Sequence, residues 1–223
     1  MYLLIQGHEH HKNLGLLDQL FRLRKKVFAD RLGWNVCVSG ALERDRYDDL
    51  NPSYLIWCDE SRAQLYGSVR LMPTTGPTLL YDVFRNTFPD ACDLVAPGIW
   101  EGTRMCIDEE AINSDFRDMR PEQAIVMLLL ALCEVALDNG IETLISNYEP
   151  QMRHIYKLAG AQFDELGRAH GYGRFPVCCG AFEVSSRVLT QMRRKIKISE
   201  PLYMRAPYPK QSVDRSNYHS HAA

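Results

Sequence analysis

Three groups of ionisable residues sit among apolar neighbours in the first half of this 223-residue chain: Arg24; then Glu43, Asp45 and Asp48; then Arg70, Glu101 and Arg104. A charge set into an apolar segment is costly unless it is paired or used, so a site is sought there first. Residues 43–49 (Glu-Arg-Asp-Arg-Tyr-Asp-Asp) and 99–105 (Ile-Trp-Glu-Gly-Thr-Arg-Met) carry both signs. That mixture suits a small zwitterionic or cationic substrate better than a polyanion, and points to an enzyme acting on a charged metabolite. Each residue alone also has a bland explanation: Arg24 as a snorkelling helix residue, Asp45 and Asp48 as turn carboxylates, Glu101 with Arg104 as a structural ion pair. It is the joint, ordered pattern that favours a site.

Several elements must position these groups. Residues 1–6 form a short apolar run that reads as a first strand. Over residues 13–32 the apolar positions Leu16, Leu17, Leu20, Phe21, Leu23, Val27 and Phe28 recur at helical spacing up to Gly33. Arg24 lies four residues from both Leu20 and Phe28, on or beside the apolar stripe. Residues 33–52 read as a long structured loop. Strands are expected at 53–59 and 65–72, followed by a break at Pro73-Thr-Thr-Gly-Pro77. The strand at 100–107 poses a geometric problem, because Glu101 and Arg104 have opposite parity. A bulge near Gly102 would bring both to one pocket. Pro121 opens a strong helix through Leu137, stopped by Asn139-Gly140. A strand at 141–146, a helix at 150–158, a final core strand at 177–184 and a basic helix at 187–197 complete the order. Residues 1–200 are expected to form one domain, and 201–223 a poorly ordered tail. The order describes an α/β mixed sheet with helices on both faces, compatible with the N-acetyltransferase (GNAT-related) fold.

Composition narrows the classes. The formal charge of −2 gives no global basic field for nucleic acid. No apolar run approaches the roughly 20 residues that span a bilayer. The N-terminus lacks the pattern of a secretory signal, so a cytoplasmic protein is expected. Seven cysteines without C-x-x-C spacing read as reduced, mostly buried thiols, of which the vicinal Cys178 and Cys179 cannot both point inward from one strand. His8, His10 and His11 have no accompanying ligand cluster, and no metal is expected.

Read together, Phe21-Arg22-Leu23-Arg24-Lys25-Lys26-Val27-Phe28, Gly33-Trp34, Glu43-x-Asp45-x-Tyr47-Asp48, Val69-Arg70-Leu71-Met72-Pro73-Thr74 and Trp100-Glu101-x-Thr103-Arg104 resemble the signature of the LuxI-type acyl-homoserine lactone synthases. The likeness covers residues 1 to about 185. It implies a reaction between S-adenosylmethionine, a substrate and not a cofactor, and an acyl thioester. The implied products are an N-acyl-homoserine lactone, methylthioadenosine and the freed thioester carrier. It implies that Arg24, Phe28, Trp34, Asp45, Asp48, Arg70, Phe84, Thr103 and Arg104 build or brace the S-adenosylmethionine site. Phe28 and Trp34 would cover the adenosine or sulfonium. Either Arg70 or Arg104 would take the carboxylate. Glu101 is the preferred base, through water, with Glu43 second. Met105, Leu128, Leu144, Ser146 and Phe182 are candidates to line the acyl tunnel, with core packing the equal alternative for the aliphatic ones.

The stretch 108–122 is acidic, lacks glycine and opens its helix at Pro121, which disfavours a pyrophosphate cradle and favours an acyl carrier protein over acyl-CoA. Basic clusters at Arg22/Lys25/Lys26, Arg153/Lys157 and Arg193/Arg194/Lys195/Lys197 could dock an acidic carrier. Residues 73–80 resemble the acyl-CoA branch, which keeps that donor open. A monomer or weak dimer is expected. Two rivals stand beside the synthase: an acyl-CoA-dependent amine N-acyltransferase, and a non-catalytic module that binds S-adenosylmethionine or a carrier protein.

Overall fold

The computed structural model describes residues 1–204 and contains a seven-stranded mixed sheet with helices on both faces. Strand β1 (Tyr2–Ile5) passes through a 3-10 turn into α1 (Leu14–Arg24), which runs on as a π-helix over Lys25–Arg31. A small ribbon, β2 (Val38–Ser39) and β3 (Leu42–Glu43), and a 3-10 helix over Arg46–Leu50 precede β4 (Ser53–Cys58) and β5 (Leu65–Pro73). Then come α2 (Leu79–Asp82), a 3-10 turn at Arg85–Thr87, β6 (Ile99–Ile107), α3 (Glu109–Asp115) and α4 (Pro121–Asp138). The chain closes with β7 (Thr143–Tyr148), α5 (Met152–Ala159), β8 (Phe163–Ala169), β9 (Val177–Glu183) and α6 (Ser186–Ile196). The sheet order is β1-β4-β5-β6-β7-β9-β8, antiparallel except for the parallel pair β6 and β7.

The apolar stripe of α1 buries against one face, where Leu16, Leu17, Leu20, Phe21, Val27 and Phe28 pack with Tyr54, Ile56 and Cys58 of β4. Helix α4 lies on the other face with α5 and α6 beyond it, and is buried almost all round. Pro121 at its first turn and Gly140 at φ +70° after its end give the expected start and stop.

Two local irregularities shape the middle of the sheet. Ser68 pairs with Cys106 and Arg70 with Thr103, so Arg104 and Met105 together stand opposite Val69. This is a β-bulge, and Arg104 adopts the left-handed conformation at φ +54°. The bulge expected near Gly102 therefore exists, and it is centred on Arg104 and Met105. It flips the parity of the strand. Glu101, Thr103 and Arg104 serve the α1 side, while Gly102, Met105 and Ile107 face α4. The second irregularity is between β6 and β7, which pair only from Ile99↔Thr143 to Glu101↔Ile145 and then diverge. The Ser146 hydroxyl donating to the Gly102 carbonyl at 2.9 Å is the side-chain tie beyond that point.

Other expectations change with the structure. β8 was not anticipated, because its half-exposed edge position leaves no strong apolar alternation. With β8 in place, β9 is an interior strand covered on both faces. Cys178 and Cys179 are consequently both buried, in clusters on opposite sides of the sheet. Within the acidic stretch before Pro121, residues Glu109–Asp115 form α3, a helix the sequence pattern does not mark, capped by the Asp108 carboxylate accepting from the Glu110 and Ala111 N–H groups. Residues 205–223 of the expected tail lie outside the described residues. Of its first residues, Leu202 and Tyr203 donate their backbone N–H groups to Glu134 at 2.9 and 2.8 Å.

Candidate active site

Arg24, Arg70 and Arg104 face Glu43, Asp45 and Asp48 in one network of three guanidiniums and three carboxylates. Arg24 comes from α1, the acids from β3 and the 3-10 helix that follows it, and Arg70 and Arg104 from β5 and β6. Arg24 Nε donates to Glu43, and its two terminal nitrogens donate to Asp48 at 2.8 and 3.0 Å. Arg70 donates to Asp45 at 2.6 and 3.1 Å, to Asp48 at 2.9 Å and to the Thr103 hydroxyl at 3.0 Å. Arg104 donates to Glu43 and Asp45, each at 3.1 Å. Tyr54 adds a hydroxyl to Asp48 at 2.7 Å. Burial alone would raise the Asp48 pKa, but Arg24, Arg70 and Tyr54 hold it well below the usual carboxylate range. Asp45 also caps its 3-10 helix by accepting from the Tyr47 N–H at 3.0 Å.

These partners divide the anticipated residues by role. Arg24 and Asp48 are buried behind the site and brace it. Glu43 is wholly buried, and each of its two oxygens is taken by a guanidinium. Arg70 is similarly committed on every nitrogen. Arg104 alone of the three arginines lines the open cleft, with its guanidinium 5.5 Å from the Phe28 ring centre. Burial, ahead of the surrounding charges, lowers its pKa.

The cleft has a volume of about 290 Å³ and is walled by Phe28, Trp34, Phe84, Thr103, Arg104 and Asn147, among others. Phe28 and Trp34 stack at 5.1 Å and 23°, held by the Trp34 N–H donating to the Phe28 carbonyl at 2.8 Å just past the π-helix. Gly33 makes that turn at φ +64°, open to glycine without strain. Through Gly102, Met105, Ser146 and Tyr156, the cleft shares its wall with a second, apolar cavity of about 60 Å³ on the α4 side of the sheet. Met105, Leu144, Ser146 and Phe182 line this cavity as anticipated. Leu128 does not: it is turned into the core beneath β5, and its neighbours on α4, Leu129 and Leu132, take its place. Val188 and Met192 of α6 close the far end, a contribution invisible in the sequence because it depends on how α6 crosses α4.

Glu101 sits at the last paired position before β6 and β7 part. It has no exposed surface, and its Oε2 accepts the Leu79 N–H at 3.0 Å. Burial pushes its pKa up to about 7, against the pull of Arg70, the backbone amides of Leu80 and Leu79, and Arg104. A carboxyl poised near neutrality beside a cleft is suited to proton transfer. Among the described residues no group of three or more His, Cys, Asp or Glu side chains could hold a metal ion, and no helix is long and apolar enough to cross a membrane.

The autoinducer synthase sequence pattern matches residues 8–192. The chain belongs to the autoinducer synthase family. An acyl-homoserine-lactone synthase of Rhizobium etli is 37% identical over 195 residues, covering 86% of this chain and 87% of that protein. Among solved structures, a CoA-dependent acyl-homoserine lactone synthase, BjaI, with SAM and isopentyl-CoA superposes at a TM-score of 0.78 with 24% identity, over 90% of this chain and 91% of that one. The AHL synthase LasI does so at 0.72 with 24% identity, over 88% and 93%. These likenesses establish a LuxI-type acyltransferase, and a putative N-acetyltransferase from Lactobacillus plantarum, superposing at a TM-score of 0.52 with 17% identity over 82% of this chain and 99% of that one, shares the GNAT-like fold. The motifs read from the sequence lie inside the matched span, and six of their charged residues, Arg24, Glu43, Asp45, Asp48, Arg70 and Arg104, meet around the bulge, while Arg22, Lys25 and Lys26 pair with other acids.

Proposed function

We propose that this autoinducer synthase joins S-adenosylmethionine to an acyl thioester, releases the thiol carrier and methylthioadenosine, and yields an N-acyl-homoserine lactone. The observation that carries this reading is the parting of β6 and β7, which leaves a charged, aromatic-walled cleft and an apolar cavity side by side at Gly102. The charged and aromatic lining of the first suits an acceptor with an ammonium, a carboxylate and a sulfonium, and the apolar lining of the second suits an acyl chain.

In this mechanism the Phe28–Trp34 stack covers the sulfonium and adenosine, and Arg104, the one guanidinium of the network on the cleft wall, takes the carboxylate. Glu101 accepts a proton from the ammonium through a water, since none of its own surface is exposed. The amine then attacks the thioester carbonyl. The methionyl carboxylate next displaces methylthioadenosine within the same molecule, a closure favoured by proximity. No covalent enzyme intermediate, metal or cofactor takes part. The enzyme acts in the cytoplasm as a monomer or weak dimer, and neither nucleic acid nor membrane is a partner.

An acyl carrier protein is the preferred donor. Helix α4 opens with Pro121, which has no N–H, and the Gln123 side chain already accepts the Arg120 N–H at 2.9 Å, a poor cradle for a pyrophosphate. Arg22, Lys25 and Lys26 are paired with acids of this chain, whereas Arg194, Lys195 and Lys197 make no ion pair among the described residues and are the more available charges for an acidic carrier. The reading is tested by mass spectrometry after incubation with S-adenosylmethionine and matched acyl-carrier-protein and acyl-CoA panels. The lactone should form, faster with the carrier-protein donors. An N-acylated amine formed without consumption of S-adenosylmethionine would favour the amine acyltransferase. Binding without turnover would favour the non-catalytic module.

A further inference from the structure

Five buried side-chain polar atoms lack a hydrogen-bond partner among the described residues, and four of them belong to residues that line the cleft or adjoin one that does: Thr78 Oγ1, Glu101 Oε1, Asn147 Oδ1 and Tyr148 OH. Asn147 and Tyr148 line the cleft, Glu101 adjoins the cleft residue Gly102, and Thr78 adjoins Leu79. Buried polar atoms are satisfied in the large majority of cases, so such a concentration marks a place completed by something bound there.

Asn147 is the member whose orientation is fixed. The Thr87 hydroxyl donates its one hydrogen to the Phe84 carbonyl at 2.6 Å, so its oxygen accepts from Asn147 Nδ2 at 2.9 Å. The amide cannot flip without losing that bond, and Oδ1 is left as a bare acceptor. Position along the strand says what it faces. Glu101 pairs with Ile145, so continuing the ladder would set Thr103 opposite Asn147. The strands part instead, and Thr103 and Asn147 become opposing walls of the gap, both on the cleft. Ser146, one residue earlier, lies in the wall shared with the apolar cavity, which Asn147 does not line.

We propose that Asn147 is a substrate-positioning residue, whose Oδ1 accepts a hydrogen bond from the attacking amine of the acceptor substrate. This deepens the synthase reading and rests on it. The ammonium first gives one proton to the base. Oδ1 then holds one of the two remaining N–H bonds and directs the nitrogen lone pair at the thioester carbon. The C–N bond forms, the C–S bond breaks, the second departing proton goes to the thiolate, and the amide keeps the last hydrogen.

The experiment compares the parent, Asn147→Ala and Thr87→Val in kinetics with S-adenosylmethionine and acyl-carrier-protein donor, alongside binding of methylthioadenosine, which lacks the amino-acid amine. Asn147→Ala should bind methylthioadenosine like the parent yet lose roughly tenfold to a hundredfold in kcat/KM for S-adenosylmethionine. Thr87→Val, which frees the amide to turn, should show a smaller loss of the same kind. Unchanged kinetics in Asn147→Ala, a loss confined to the KM of the acyl donor, or equal weakening of methylthioadenosine binding would each overturn the proposal. Failure of the parent itself to turn over S-adenosylmethionine would instead overturn the synthase reading.

Discussion

Glu101 has no exposed surface, lies against the backbone amides of Leu79 and Leu80, and keeps its proton to about pH 7, whereas an ordinary glutamate releases it near 4.5. Between those values the folded state binds more protons than the unfolded chain, so this group's contribution is fully present below about pH 4.5 and is lost as pH rises to about 7, by about 3 kcal/mol. Glu101→Gln should therefore flatten this part of the pH–stability curve, and unfolding at pH 5 and pH 8 checks it. A parent-like slope in the variant would assign the pH dependence elsewhere. The same substitution should lower turnover by roughly a hundredfold or more in a folded protein. Arg24 behaves differently, because it is structural. Arg24→Ala takes one guanidinium from the buried Glu43 and Asp48, leaving Arg104 on the first and Arg70 with Tyr54 on the second, and should cost about 3 kcal/mol in denaturant unfolding. Charge in an apolar setting made these residues visible in the sequence. What it did not reveal was the division between Arg24 and Asp48 as braces and Arg104 as the group at the cleft, because that depends on burial.

The bulge on β6 is the element that turns a parity conflict into a site. Alternation alone places Glu101 and Arg104 on opposite faces, and a bulge near Gly102 is the reading of the sequence that brings them to one pocket. The left-handed residue is Arg104, at φ +54°, fixed there by its bonds to Glu43 and Asp45. A non-glycine residue in that region carries a backbone cost of about 1–2 kcal/mol. Arg104→Gly should thus be more stable to denaturant than Arg104→Ala by about 1 kcal/mol, while both lose activity. Equal stability of the two would argue that the left-handed turn is not populated in solution. Helices α1 and α4 were legible from their periodicity and stops. β8 and α3 were not, because an edge strand and a short polar helix owe their form to pairing and capping and lack a hydrophobic pattern.

At the scale of the whole molecule, the ion-pair network lies on the α1 side of the sheet and the apolar cavity on the α4 side, and the cleft adjoins that cavity beside the place where β6 and β7 part. The far wall of the apolar cavity depends on α6, which is tied to α4 by Glu134. That carboxylate accepts Arg193 at 2.9 Å and the Leu202 and Tyr203 N–H groups. Glu134→Ala leaves a guanidinium and two backbone donors without it and should destabilise the protein by about 2–4 kcal/mol, seen as a lower denaturation midpoint. Nothing in the sequence marks Glu134, since its partners lie 59 to 69 residues away. The family signature, by contrast, was legible because it rests on residue identity and order. The most direct test of the two-sided site is to run the enzyme on S-adenosylmethionine carrying ¹⁸O in both carboxylate oxygens and quantify both products. Equal amounts of methylthioadenosine and acyl-homoserine lactone, with both labelled oxygens kept in the lactone, are expected. An N-acylated product without methylthioadenosine, or no turnover by the folded protein with any donor, would contradict it.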